Sequence, residues 1–395
     1  MMSATELWYR AKKVFALYPG VSAPISGGFL ADHYARRRRE RSFARALLDA
    51  LVGVAFLMWI PARAAKVQRR FGLDNAWRQR AIRIARERFA DPSDIALFRI
   101  EHADQLHGYI RRFEDAGLNK IVNPQAWRSD CMLADKIRFY QRCAEFGLAH
   151  PHVVATMVGG RSQLHRDPGD EPLLLKPARG EGGRGVRFLD PPANNASAWL
   201  DRTCRGLRGA WLVQRRIAVH PALRDLALNA LPTARITTIL DEHGHPEVVN
   251  AVLRMPSDPA AQVDNMKAGG LLSPIDLHAG TLGIACAGYG GTDHTAHPVS
   301  GATIPGRTLP DWAAAKALVV QAHGEAFAGY ALIGWDVGFS PQGPILIEGN
   351  GKPGVLMPQR AGRAGLGAQR YGELLEWQLA RKATQIRSKS VAKRR

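Results

Sequence analysis

GWDVGFSPQGPILIEGN, residues 334–350, decides how the rest of the chain is read. Two short apolar runs flank a Pro-Gln-Gly turn, which predicts a β-hairpin. Glu348 and Asn350 lie two residues apart, so on a strand both side chains leave from one face. Asp336 on the partner strand is brought opposite them. Three oxygen ligands then converge, a donor set suited to Mg²⁺, which takes carboxylate and amide oxygens and is completed by water and phosphate. Two acids on neighbouring strands raise each other's pKa unless a cation lies between them. A surface hairpin with merely solvated polar residues is the alternative reading of this stretch taken alone.

A second segment bears on the choice. LLLKPARGEGGRGVRFL, residues 173–189, reads as a strand ending in Lys176-Pro177, a loop holding Gly180, Gly182, Gly183 and Gly185, and a second strand. Glycines let backbone N–H groups approach phosphate oxygens closely, and Lys176 adds a point charge. The pattern GxxxxGK[ST] is absent, so this is no P-loop; a plain hairpin with a flexible tip is its alternative reading.

Strand, Lys-Pro, glycine-rich loop, strand, then far downstream Asp, Glu and Asn on a hairpin together resemble the ATP-grasp superfamily, which includes D-alanine:D-alanine ligases and glutamate-adding ligases. The nearest likeness is to the sugar-transfer-associated ATP-grasp proteins. It covers roughly residues 125–380, with further signals in DKIRFYQRCAEFGL, VQRRIAVHPAL, LPTARITTIL and NMKAGG. The resemblance implies that Lys136 and Lys176 contact nucleotide phosphates, that Gly182, Gly183 and Gly185 form a mobile lid, and that Gln214, Arg215 and Ile217 belong to the hinge that binds adenine. It further implies that Asp336, Glu348 and Asn350 hold one or two Mg²⁺ ions, with Mn²⁺ able to substitute, and that Arg235 and Arg254 face the phosphates or an acyl phosphate. Asn265, Gly269 and Gly270 would line the acceptor side. His220 would contact the ribose in place of the acid common there, a departure that leaves ribose recognition open. Arg235 has a structural ion-pair role as its alternative. The stretches 256–264 and 288–308 are expected acceptor loops, and His243, His245, His294 and His297 read as surface or loop residues.

The implied reaction is an ATP-dependent carboxylate–amine ligation through an acyl phosphate, releasing ADP and phosphate, in polysaccharide or secondary-metabolite biosynthesis. A kinase acting on a hydroxyl or sugar and a non-catalytic scaffold at a membrane surface are the competing readings.

Outward from the site, short β-branched runs after residue 165 alternate with helical stretches near 196–204 and 311–328, an α+β plan with antiparallel sheets, expected as two α+β subdomains clasping ATP. Residues 1–95 read as a basic, mainly helical N-terminal region, 96–165 as the linker part of the ATP-grasp module, 166–380 as its core, and 381–395 as a disordered basic tail.

The chain of 395 residues has a formal charge of +19. Residues 1–91 hold 18 Lys/Arg against 7 Asp/Glu and residues 381–395 hold 7 against none, which leaves +1 on the body between them. A charge-balanced body suits small-molecule chemistry, while the basic ends suit an anionic membrane surface or mere solvation. No aromatic-and-basic signature of nucleic-acid binding is present. Residues 50–60, ALVGVAFLMWI, are eleven apolar residues that Pro61 is expected to stop, against the roughly 20 needed to cross a bilayer. A helix buried on the body, a homodimer interface and an interfacial helix on anionic lipid are the three fates open to it. Four widely spaced cysteines and no signal-peptide pattern point to the cytoplasm, with the inner face of the membrane as an alternative site of residence.

Overall fold

The computed structural model describes residues 28–180, 182–192, 194–261, 269–287 and 292–392. Two antiparallel sheets organise the body. The smaller has the order β2-β1-β5-β3-β4 and is built from β1 (Val153–Val158), β2 (Arg161–Leu164), β3 (Leu173–Pro177), β4 (Arg187–Leu189) and β5 (Trp211–Arg215). The larger has the order β10-β9-β8-β7-β6-β11-β12. Its strands are β6 (Thr233–Leu240), β7 (Pro246–Met255), β8 (Leu271–Pro274), β9 (Ala285–Ala287), β10 (Asp293–His294), β11 (Leu332–Ser340) and β12 (Gly343–Asn350).

The expected hairpin is β11–β12, closed by Pro341 and Gln342, with Asp336 paired to Glu348 and Gly334 to Asn350. Period-2 alternation gives the large sheet two faces. Ala234, Ile236, Leu253, Trp335 and Val337 enter the main core, where Trp335 is fully buried and donates from Nε1 to Thr238 Oγ1 at 2.8 Å. The register puts Thr233, Arg235, Arg254, Asp336 and Glu348 on the opposite face. In the small sheet Leu173, Leu175 and Val213 are buried in their own cluster with Leu200 and Cys204, whereas Leu174 pairs with Gln214 on the side facing the large sheet.

Ten helices are used below: α1 (Ala31–Glu40), α2 (Phe43–Phe71), α3 (Asn75–Arg88), α4 (Pro92–Leu97), α5 (Arg112–Val122), α6 (Lys136–Glu145), α7 (Ala196–Cys204), α8 (Trp312–Gln321), α9 (Leu356–Gly362) and α10 (Arg370–Ala392). The helices α2, α3 and α4 close a separate apolar cluster through Phe56, Ile60, Val67, Trp77, Ile84 and Ile95.

Two expectations differ from the fold. Pro61 does not stop the apolar helix: α2 runs 29 residues with Pro61 inside it. Phe56 and Ile60 before the proline and Ala64 and Val67 after it are buried together, while Leu57, whose carbonyl loses its partner, lies on the exposed side where water can bond it. The tail expected to be disordered from 381 continues α10 as helix to Ala392, because Tyr371, Leu374, Leu375 and Leu379 anchor the helix and its extension needs only propensity. His297 stands in a loop, as expected, and is buried there, its Nε2 lying 2.7 Å from the carbonyl of Pro256.

Candidate active site

Between the sheets lies a cavity of about 1070 Å³ walled by both of them. That volume is at the upper end of small-molecule pockets, room for a nucleotide and a second reactant.

The small sheet and its loop supply one wall. Lys176, at the end of β3, is buried and donates from Nζ to the Tyr140 hydroxyl at 2.8 Å. Burial first, and the neighbouring Lys136 second, hold its ammonium down to about 7, against the pull of Glu348. Lys136 opens α6, whose N-cap is Asp135; its Nζ donates to the Gly180 carbonyl at 3.0 Å and lies 3.4 Å from Glu348 Oε2. Gly180, Gly182, Gly183 and Arg184 line the cavity, as do Gln214, Arg215 and Ile217. Phe188, Leu174, Ile345 and Ile347 give this end an apolar lining.

The large sheet supplies the other wall. Asp336 is buried and its carboxylate is taken up by two arginines: Arg235 donates from Nε to Oδ1 and from Nη2 to Oδ2 at 3.2 Å, and Arg254 Nη2 lies 3.0 Å from Oδ2. Burial alone would push this carboxyl up, but Arg235 and Arg254 hold it below the usual carboxylate range. Arg235 also donates to the Pro353 carbonyl at 3.0 Å, and Arg254 to Thr233 Oγ1 at 3.1 Å.

Asp336, expected as a metal ligand, thus carries its counter-charge from Arg235 and Arg254, which a buried carboxylate requires. Glu348 and Asn350 remain turned to the cavity, and the buried Nδ2 of Asn350 has no hydrogen-bond partner among the described residues. No group of three His, Cys, Asp or Glu side chains among the described residues is arranged to hold a metal. The donor set still suits a hard cation held by Glu348, the Asn350 amide oxygen, water and phosphate oxygens, with Asp336 joining once its arginines turn to phosphate.

Three further residues stand elsewhere than expected. His220 accepts from the Ala222 N–H through Nδ1 at 3.1 Å, capping a tight turn, and does not line the cavity. Gly185 is also outside the wall; a side chain there would meet Trp211 at 3.2 Å and Pro177 at 3.4 Å, so its smallness serves packing. Gly270 is buried just before β8, away from the cavity, and Gly269 accepts from Ser257 Oγ at 2.7 Å. Asn265 lies outside the described residues. The described parts of the two expected acceptor loops, 256–261 and 292–308, do not line the cavity either.

Tyr140 escaped the sequence reading. Its hydroxyl donates to the Ile347 carbonyl at 2.6 Å while accepting from Lys176, tying α6 to β3 and β12. Its position one helical turn after Lys136 was the available signal. Asn119 and Asn123 are buried and donate to the Gly351 carbonyl at 3.1 and 2.8 Å, fixing the chain just beyond Asn350. At the far end Arg112, Lys352, Leu356 and Met357 line the cavity, Lys352 stacking over Trp127 at 4.4 Å.

Residues 202–371 match the family described as sugar-transfer associated ATP-grasp. That stretch belongs to the ATP-grasp superfamily. Among solved structures the chain is similar to D-alanine–D-alanine ligase from Bacillus anthracis, at 15% identity over 66% of this chain and 70% of that one, with a TM-score of 0.36. It is also similar to L-amino acid ligase from Bacillus licheniformis, at 14% identity over 55% of this chain and 40% of that one, with a TM-score of 0.33. VanG D-Ala:D-Ser ligase from Enterococcus faecalis gives 12% identity over 64% and 62%, with a TM-score of 0.35. Likenesses at this level carry no weight in assigning the site. No curated protein matches the chain significantly.

Proposed function

We propose that this ATP-grasp protein is an ATP-dependent carboxylate–amine ligase that works through an acyl phosphate. The observation that carries the reading is the cavity itself, which Lys136, Lys176, Arg235 and Arg254 line together with the oxygen donors Asp336, Glu348 and Asn350. Asp336 and Glu348 offset part of this positive charge, and the phosphates of a nucleotide meet the rest. The nucleotide base sits at the apolar end by Leu174, Phe188 and Ile345, and the acceptor end is lined by Arg112 and Lys352, cations suited to a carboxylate substrate.

In the reaction a carboxylate oxygen attacks the γ-phosphorus, the β,γ-bridging P–O bond breaks, and ADP leaves. An amine nitrogen then attacks the acyl carbon, loses its proton to solvent, and expels phosphate. Lys176 and Lys136 orient the phosphates, and Arg235 and Arg254 meet the charge that builds on the transferred group. Mg²⁺, held by Glu348 and Asn350, would neutralise phosphate charge. The loop 180–185 closes over the nucleotide and keeps water from the acyl phosphate.

Polysaccharide or secondary-metabolite biosynthesis is the setting we infer, and the cytoplasm the compartment, since the four cysteines are free and buried. The test is ADP and phosphate release from Mg-ATP across amino acids, sugar acids and amines. Turnover that needs both a carboxylate and an amine, and falls about 100-fold or more in Glu348→Ala, is expected. Phosphate retained on a hydroxyl product would make the protein a kinase, and absence of nucleotide binding would end the catalytic reading.

A further inference from the structure

The helix α2 presents a face that no part of the described chain covers. Between Phe43 and Met58 every exposed residue is apolar, among them Leu47, Leu51, Val54 and Leu57; Phe43 is 86% and Met58 72% exposed. The charged residues of that span, Arg45 and Asp49, are paired with each other at 3.1 Å. The stripe runs about 22 Å along the helix at 1.5 Å per residue. Soluble monomers rarely leave so continuous an apolar surface in water.

What lies at its ends identifies what covers it. Arg37 and Arg39 of α1 stand exposed before the stripe, and Lys66, Arg69 and Arg70 stand exposed after it. A second copy docked on this face would bring basic ends against basic ends, in a region holding 18 Lys/Arg and 7 Asp/Glu. An anionic lipid surface meets both features at once: acyl chains take the apolar stripe and headgroups take the flanking cations. Although α2 is long and apolar enough to cross a membrane by length and composition, its opposite face is committed to the protein through Phe56, Ile60, Ala64 and Val67. That commitment keeps the helix in the plane of the surface.

We propose that the exposed face of α2 docks the protein peripherally on an anionic lipid bilayer. Docking is independent of the ligase reading, because α2 contributes nothing to the cavity.

The experiment is flotation of the full chain with vesicles of phosphatidylcholine alone or mixed with phosphatidylglycerol. Flotation is expected only on the mixed vesicles, weakening as salt is raised and released by alkaline carbonate. The double variant Leu51→Glu/Val54→Glu should weaken binding at least about tenfold with an unchanged melting temperature and unchanged nucleotide binding. Should that variant be destabilised, Phe43→Ser/Met58→Ser, at the most exposed positions, makes the same test more gently. Four outcomes overturn the proposal. Absence of flotation means the face takes no lipid, and flotation indifferent to both variants means lipid binds elsewhere. A dimer split by Leu51→Glu/Val54→Glu assigns the face to a second copy, and carbonate-resistant retention assigns α2 to a spanning role.

Discussion

Lys176 carries a titration that the fold has displaced. Burial favours its neutral amine, so the folded protein loses this proton near pH 7 while the unfolded chain keeps it to about 10.5. Between those values the unfolded chain binds more protons, so this group makes stability rise with pH. Nucleotide acts in the opposite sense, since phosphate favours the ammonium. Affinity for the nucleotide is expected to fall as pH is raised above about 7, with proton uptake on binding, measurable by calorimetry in buffers of different ionisation enthalpy. Lys176→Met should bind weakly and lose that pH dependence. Arg235 sits at the other kind of charged residue, one whose removal strands a partner. Arg235→Ala leaves Asp336 buried with Arg254 as its remaining cation, and about 3 kcal/mol of stability should be lost in urea unfolding. An effect confined to turnover, with stability intact, would show Arg235 to act on the phosphates alone.

At the scale of elements, the hairpin β11–β12 positions Glu348 and Asn350 only because glycines let it lie flat on the core. A side chain at Gly349 would meet Leu133 at 2.7 Å and Phe139 at 2.9 Å. Gly349→Ala is therefore expected to destabilise the fold by about 1–3 kcal/mol and to reduce nucleotide binding, read by thermal unfolding and by titration. The helix α2 predicts the reverse sign. Pro61 interrupts its ladder on the exposed side, so Pro61→Ala should raise the melting temperature, because an interior proline costs about 3 kcal/mol or less where water bonds the freed carbonyl. The glycine loop offers trypsin Arg184, whose cleavage should slow when Mg-ADP closes the loop, as followed by mass spectrometry.

For the whole molecule, both sheets contribute cations to one cavity, so a nucleotide that bridges them should hold the two halves together. Saturating Mg-ADP is expected to stabilise the protein by about 2.7 kcal/mol at a hundredfold excess over Kd, and ADP without Mg²⁺ by less. Equal stabilisation with and without the metal would remove Glu348 and Asn350 from nucleotide binding.

The sequence alone determined the antiparallel plan, the β11–β12 hairpin and the face shared by Glu348 and Asn350. Each of these follows from local period and turn chemistry, which a strand carries wherever it is placed. It likewise marked Lys136, Lys176, Gln214 and the glycine loop as candidates for the wall. Tertiary structure decided the rest, because it depends on which residues meet across long separations. Asp336 became the centre of an ion pair through Arg235, 101 residues away. Tyr140 joined the site through Ile347, 207 residues away, and Asn123 through Gly351, 228 residues away. His220 and Gly185 left it because a local turn and a tryptophan ring claimed them first. The helix α2 ran past Pro61 because packing on one face outweighs a single lost hydrogen bond, a balance that no local pattern records.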